Sequence, residues 1–144
     1  MATKTRSIKL NEVDKKWLII DATNVRLGKL ATKCASLLIG KHKVTNVDYL
    51  DIGDNIIIIN AGKVELHRRK VSKKLYYTHS NYPGGLKVKT FAQLKEKNPA
   101  YIIKEAVWGM LPKNHMGKKI LGNLYIFAGA EHDKQAQQPT QIKI

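Results

Sequence analysis

The residues with most chemical promise run from Tyr76 to Lys87. Tyr76 and Tyr77 lead through Thr78, His79, Ser80 and Asn81 to Tyr82-Pro83-Gly84-Gly85. Bases crowd both flanks: Arg68, Arg69, Lys70, Lys73 and Lys74 before it, Lys87 and Lys89 after it. From Lys63 to Lys89 there are eight Lys or Arg and one acid, Glu65. Cations neutralise phosphates, planar rings stack on bases, and glycines let backbone N–H groups come close, so the segment suits a phosphate-rich partner. A solvated hairpin with a few core tyrosines is the bland alternative.

The whole chain carries the same bias. Its 144 residues hold 26 basic and 11 acidic side chains, a net charge of +15. That length suits one domain, and an apolar fraction of 43% is ordinary for a folded protein. A polyanion is the simplest partner that relieves such self-repulsion. No apolar run approaches the roughly 20 residues that span a bilayer. Cys34 is the single cysteine, so no internal disulfide forms and nothing points to an oxidising compartment. Met1 to Leu10 is basic but lacks the apolar centre of a secretory signal, and Glu12 and Asp14 come too early for a mitochondrial presequence. A cytoplasmic protein is expected.

Strand and helix patterns alternate along the chain. Trp17 to Ala22 reads as a buried strand, and Thr23 or Asn24 can cap the helix after it. Leu27, Leu30, Ala31, Cys34, Ala35, Leu37 and Leu38 fall at helical spacing, with Gly40 just past the end. Arg26, Lys29, Lys33 and Ser36 make the opposite face, which is solvated or meets phosphates. Ile56 to Ile59 suit a central strand buried on both faces. From Val44 to Gly62 there are three acids (Asp48, Asp51, Asp54) and no Lys or Arg, so charge is segregated. Leu75 to Thr78 and Leu86 to Thr90 read as hairpin arms. Thr90 with Gln93 makes a capping box for a helix from Phe91 to Lys97. Asn98-Pro99 opens another, with a stripe of Ile103, Ala106, Val107, Met110 and Leu111 and a stop at Pro112. Trp108, off that stripe, packs on a neighbouring element or stacks on a base. Asn114 caps a third short helix through Leu121, and Leu124 to Ala128 reads as the last strand. The polar segment from Glu131 is expected to be extended and ordered mainly by its partner.

Catalytic patterns fail. Gly40-Lys41 resembles the end of a phosphate-binding loop, but Ala35 and His42 stand where glycine and a hydroxyl belong, and Gly40 ends a helix instead of starting one. The five histidines are scattered without metal-ligand spacing. Asp21, Asp51 and Asp54 could converge as nuclease carboxylates, although Asp beside a strand more often serves turns and caps. No nucleophile elbow is visible. No enzyme, cofactor, metal or small-molecule substrate is expected.

In joint order and spacing, these residues resemble the bacterial form of the ribosomal protein L-thirteen family of the large subunit. The landmarks are Trp17 to Ala22, Leu27-Gly28-Lys29-Leu30-Ala31, Gly40-Lys41-His42-Lys43, Asp51-Ile52-Gly53-Asp54 before Asn60-Ala61, and Tyr82-Pro83-Gly84-Gly85-Leu86-Lys87. Gly109 to Asn114 with Gly117, Ala128 to His132 and Gln137-Gln138-Pro139 complete them. Two places depart from the family: Leu66-His67-Arg68-Arg69 replaces a usual Thr-Gly turn, and Trp108 stands where a base is common. The resemblance implies a three-layer α/β/α sandwich with a mostly parallel four-stranded sheet and a basic hairpin extension. It implies one domain over 1–144, with a short N-terminal extension and an extended C-terminal tail.

It also implies a scaffold of the large subunit that binds its ribosomal RNA early in assembly, beside neighbouring ribosomal proteins. The expected RNA contacts are Arg26, Lys29, Lys41, His42, Lys43, Arg68, Arg69, Lys70, Lys73, Lys74, Lys87, Lys89, Lys113, Lys118 and Lys119. Tyr82, His79 and His132 would stack or reach 2′-hydroxyls, and Gly84 and Gly85 would admit the backbone. A free regulatory RNA-binding protein, acting on messenger RNA or as a chaperone, is the alternative.

Overall fold

The computed structural model describes residues 8–144, so the first seven residues of the N-terminal extension lie outside the described residues. Four strands form the central sheet: β1 (Trp17–Asp21), β2 (Asn55–Ile59), β5 (Leu124–Ile126) and β6 (Thr140–Ile142). Between them come helices α1 (Leu27–Ile39), α2 (Arg68–Lys73), α3 (Phe91–Lys97), α4 (Pro99–Met110) and α5 (His115–Leu121), and a hairpin of β3 (Leu75–His79) and β4 (Leu86–Thr90). The sheet order is β5-β2-β1-β6 and every pairing is parallel. This is an α/β fold.

That order decides what covers each face. The chain moves one way across the sheet from β1 to β2 to β5, then returns past both to reach β6. Right-handed crossovers therefore put the helices on one face and the return segment on the other. Leu18, Ile20, Ile56 and Ile58 point to the helical side, where they join Leu30, Cys34 and Leu38 of α1 and Ile103 and Val107 of α4. Each such side chain contributes roughly 1.5–3 kcal/mol by leaving water. The opposite face carries Trp17 and Tyr125, their rings stacked with centroids 5.4 Å apart. The return segment lies against it: Lys134 Nζ sits 5.5 Å from the Tyr125 ring centre, and the Phe127 and His132 rings are 6.1 Å apart.

Local signals account for most boundaries. Gly40 ends α1 with a left-handed φ of 84°. Thr90 and Gln93 form the full capping box, and Asn98 and Asn114 cap α4 and α5 through their side chains. Four details differ from the sequence expectation. Neither Thr23 nor Asn24 caps α1; the Thr23 hydroxyl donates instead to Asp21 Oδ1 at 2.7 Å, and Arg26 holds the cap position without a side-chain bond. Met110 is exposed, and Ile102 is buried in the stripe of α4 instead. Arg68–Lys73 is helical. Finally, the polar C-terminal segment does not simply await a partner, because Thr140–Ile142 pairs with β1 as a fourth strand.

Candidate nucleic-acid interface

The basic residues fall into two groups at opposite ends of the sheet. Asp54 precedes β2, whereas Asp21 ends β1 level with Ile59, so the two ends lie roughly 16 Å apart. At the end where the strands finish, the chain leaves β2, bridges Glu65 to Arg26, and enters α2 and the hairpin. At the other end lie the loop after α1, with Lys41, His42 and Lys43, and α5 with Lys118 and Lys119.

The first group is solvent-facing. Arg26, Lys29, Arg68, Arg69, Lys70, Lys73, Lys87 and Lys89 are exposed and Lys74 is half-buried, its Nζ 5.2 Å from the Tyr76 ring centre. No acid lies within α2 itself; Glu65 and Glu96 share a cleft with Arg68. The register pairs Tyr76 with Lys89 and Thr78 with Lys87 on one side of the hairpin, leaving Tyr77, His79, Leu86 and Val88 on the other. Tyr76 anchors the hairpin, edge-on to Tyr101 with ring centres 6.4 Å apart. Burial raises the pKa of its hydroxyl, with Glu105 adding to the effect.

The hairpin turn is built by its own residues. Asn81 adopts φ 64° and its N–H donates to His79 Nδ1 at 2.9 Å. Gly84 has φ 73°, and any Cβ on Gly85 would come 2.1 Å from Ser80 Oγ. The glycines thus serve the turn, while Tyr82 is 75% exposed. Tyr77 is 62% exposed as well; its alternation with the anchoring Tyr76 was the available signal for a second free ring. His132 is half-buried beside Phe127, and its Nδ1 accepts from the Lys134 N–H.

The second group is divided. Lys41, Lys118 and Lys119 are exposed. Lys43 turns inward: its Nζ lies 2.5 Å from Asp54 Oδ1 and donates to the carbonyls of Asp14 and Ile52 at 2.6 and 2.8 Å. His42 Nε2 stands 2.8 Å from Asp54 Oδ2. Burial raises the Asp54 carboxyl, but hydrogen bonds from Lys43 and the Lys16 N–H and the charges of Lys43 and His42 outweigh it, so its pKa is lowered. Lys113 Nζ sits 4.2 Å over the Trp108 ring and donates to the Trp108 carbonyl. Trp108 therefore packs on its neighbours, touching the core from its half-buried position.

The three aspartates do not form a carboxylate cluster. Asp21 accepts from Thr23 and Asn60, and those bonds lower its pKa, the Thr23 hydroxyl most of all. Asp51 pairs with Lys15 at 2.6 Å and accepts from Asn123. Both are structural acceptors, and Asp21 lies at the far end of the sheet. Burial pushes the Cys34 thiol up to about 12, which suits a core residue.

Known proteins share this chain's sequence over nearly its whole length. Residues 15–133 match the family described as Ribosomal protein L13. The "Large ribosomal subunit protein uL13" of Geobacillus kaustophilus (strain HTA426) is 49% identical over 135 residues, 94% of this chain and 93% of its own. Its namesake from Mycoplasmopsis pulmonis (strain UAB CTIP) is 50% identical over 141 residues, 98% of each chain. That from Roseiflexus sp. (strain RS-1) is 50% identical over 136 residues, 94% of this chain and 93% of its own.

Proposed function

Because this chain belongs to the ribosomal protein L13 family, we propose that it is a structural constituent of the large ribosomal subunit in the cytoplasm. It binds large-subunit ribosomal RNA, holds converging RNA segments together beside neighbouring ribosomal proteins, and helps the subunit assemble. The whole chain, 1–144, acts as one RNA-binding domain. It works as a scaffold and turns over no substrate. The observation that carries this reading is the near-full-length likeness to large-subunit proteins.

The distribution of charge supports a mechanism. Arg26, Arg68, Arg69, Lys70, Lys73, Lys87 and Lys89 neutralise one stretch of phosphates, while Lys41, Lys118 and Lys119 meet another. Tyr82 stacks or contacts a 2′-hydroxyl at the hairpin tip. The sheet fixes the spacing of the two groups, so RNA segments that repel each other share one cationic body. Such contacts read backbone and shape more than sequence. His42, Lys43, Lys74, Lys113 and His132 act through the protein, because each is held by a neighbour.

Sucrose-gradient sedimentation of a lysate at moderate and high salt tests the proposal. Cosedimentation with large subunits at both salts, near one copy each, is expected. Material that stays at the top, or leaves at modest salt, would point to a free RNA-binding regulator instead.

A further inference from the structure

The outward side of α1 faces a groove apart from the hairpin and from α5. Lys29 and Lys33 stand one turn apart on this helix, with Thr32 and Ser36 between and beyond them. Lys143, just past β6, closes the groove from the other side together with Ile144, around an open cleft of about 550 Å³. α1 contains no acid along its whole length. All three lysines are exposed, and none has an acidic partner among the described residues. Like charges one turn apart disfavour a helix slightly, and a third cation brought across the groove adds to the repulsion. Three ammonium groups and the Ser36 hydroxyl around one open cleft are donors that a phosphate backbone accepts from, whereas the Thr32 hydroxyl already donates to the Gly28 carbonyl at 2.9 Å.

We propose that the groove between α1 and β6 seats a further phosphodiester strand, separate from those at the hairpin and at α5, and that this strand clamps β6 to the domain. The inference rests on the reading of the partner as RNA. β6 has three residues and borders only β1 among the described residues, so that pairing holds it along a single edge. A phosphate bridging Lys33 and Lys143 ties the end of β6 to α1 and turns the repulsion between them into attraction.

The full chain, titrated with a transcript of large-subunit ribosomal RNA at several salt concentrations, provides the test. Lys33→Gln with Lys143→Gln removes two groove cations, and Lys87→Gln with Lys89→Gln removes two at the hairpin. Gln supports a helix about as well as Lys, and equal thermal melts check that both variants fold. The groove pair is expected to lower the slope of log affinity against log salt by about 1.4, the value for two single-strand phosphate contacts. RNA is expected to slow amide exchange at residues 140–142 in the parent protein and not in the groove variant. A groove variant with the parent slope, or exchange at 140–142 indifferent to RNA, overturns the proposal. The hairpin pair separates the two levels: if it lowers the slope alone, only the groove fails, and if neither pair does, the RNA reading fails with it.

Discussion

Lys43 and Asp54 form an inward-facing pair, Nζ to Oδ1 2.5 Å, that joins the loop after α1 to the start of β2. Lys43 also holds two backbone carbonyls, so one cation ties three stretches of chain. Lys41, two residues earlier, is exposed. Neighbours of the same type thus do different work.

Replacing Lys43 by Gln leaves the Asp54 carboxylate buried without its main partner. We expect a loss of about 3 kcal/mol in urea unfolding, as for other broken buried pairs. Lys41→Gln should change stability by less than about 0.5 kcal/mol and instead lower the salt slope of RNA binding. Equal stability losses in the two variants would contradict this division.

Asp54 also sets an acid limb. Its pKa is lower in the folded than in the unfolded chain, so the folded state binds fewer protons there. Its stabilisation is complete above about pH 4 and is lost as pH falls through the folded-state value. Asp54→Asn should be less stable at neutral pH, and its deficit should shrink on acidification. Unfolding midpoints measured between about pH 7 and pH 3 would reveal a constant deficit if Asp54 were uncoupled.

Gly53 lies under the last turn of α1, where a Cβ would come 1.6 Å from the Leu38 carbonyl oxygen. Backbone cannot swing away as a side chain can. Gly53→Ala should cost about 3 kcal/mol or more, or prevent folding. Gly109→Ala is the control, since open space surrounds that helical position, and it should stabilise by up to about 1 kcal/mol. Thermal melts of the two variants should move in opposite directions.

On α5, Lys118→Gln with Lys119→Gln should lower the salt slope of RNA binding by about 1.4. Lys113→Gln should change it little, because Lys113 covers the Trp108 ring, and should alter tryptophan fluorescence instead. A slope that follows Lys113 and ignores the α5 pair would reverse the assignment.

The Tyr76 hydroxyl is buried without a hydrogen-bond partner among the described residues. Tyr76→Phe keeps the ring against Tyr101 and removes the orphaned group. Stability should hold or rise by about 1 kcal/mol in denaturant unfolding. A clear loss would mean that the hydroxyl is bonded in solution.

Legibility in the sequence followed how local each cause is. The capping box at Thr90, the Asn98 and Asn114 caps, the helix stop at Gly40 and the isoleucine strand were readable because neighbouring residues cause them. β6 was not, since Thr140-Gln141-Ile142 has no strand pattern and is placed by β1. α2 was missed because Arg-Arg-Lys-Val-Ser-Lys has no apolar period and its ends have no side-chain cap. For the interface, residue types were visible but orientation was not. Lys43 and His42 find their partner in Asp54, across a loop, and Lys113 finds an aromatic ring.

The pairing of β1 with β6 has a consequence for synthesis. Residues 17–21 leave the translating ribosome early, yet the strand that covers one of their edges comes from residues 140–142. Until residues 140–142 are made, the nascent chain presents an open strand of Trp-Leu-Ile-Ile to its surroundings. Vectorial folding from the N-terminus therefore cannot finish this sheet, and its completion is a late, long-range event.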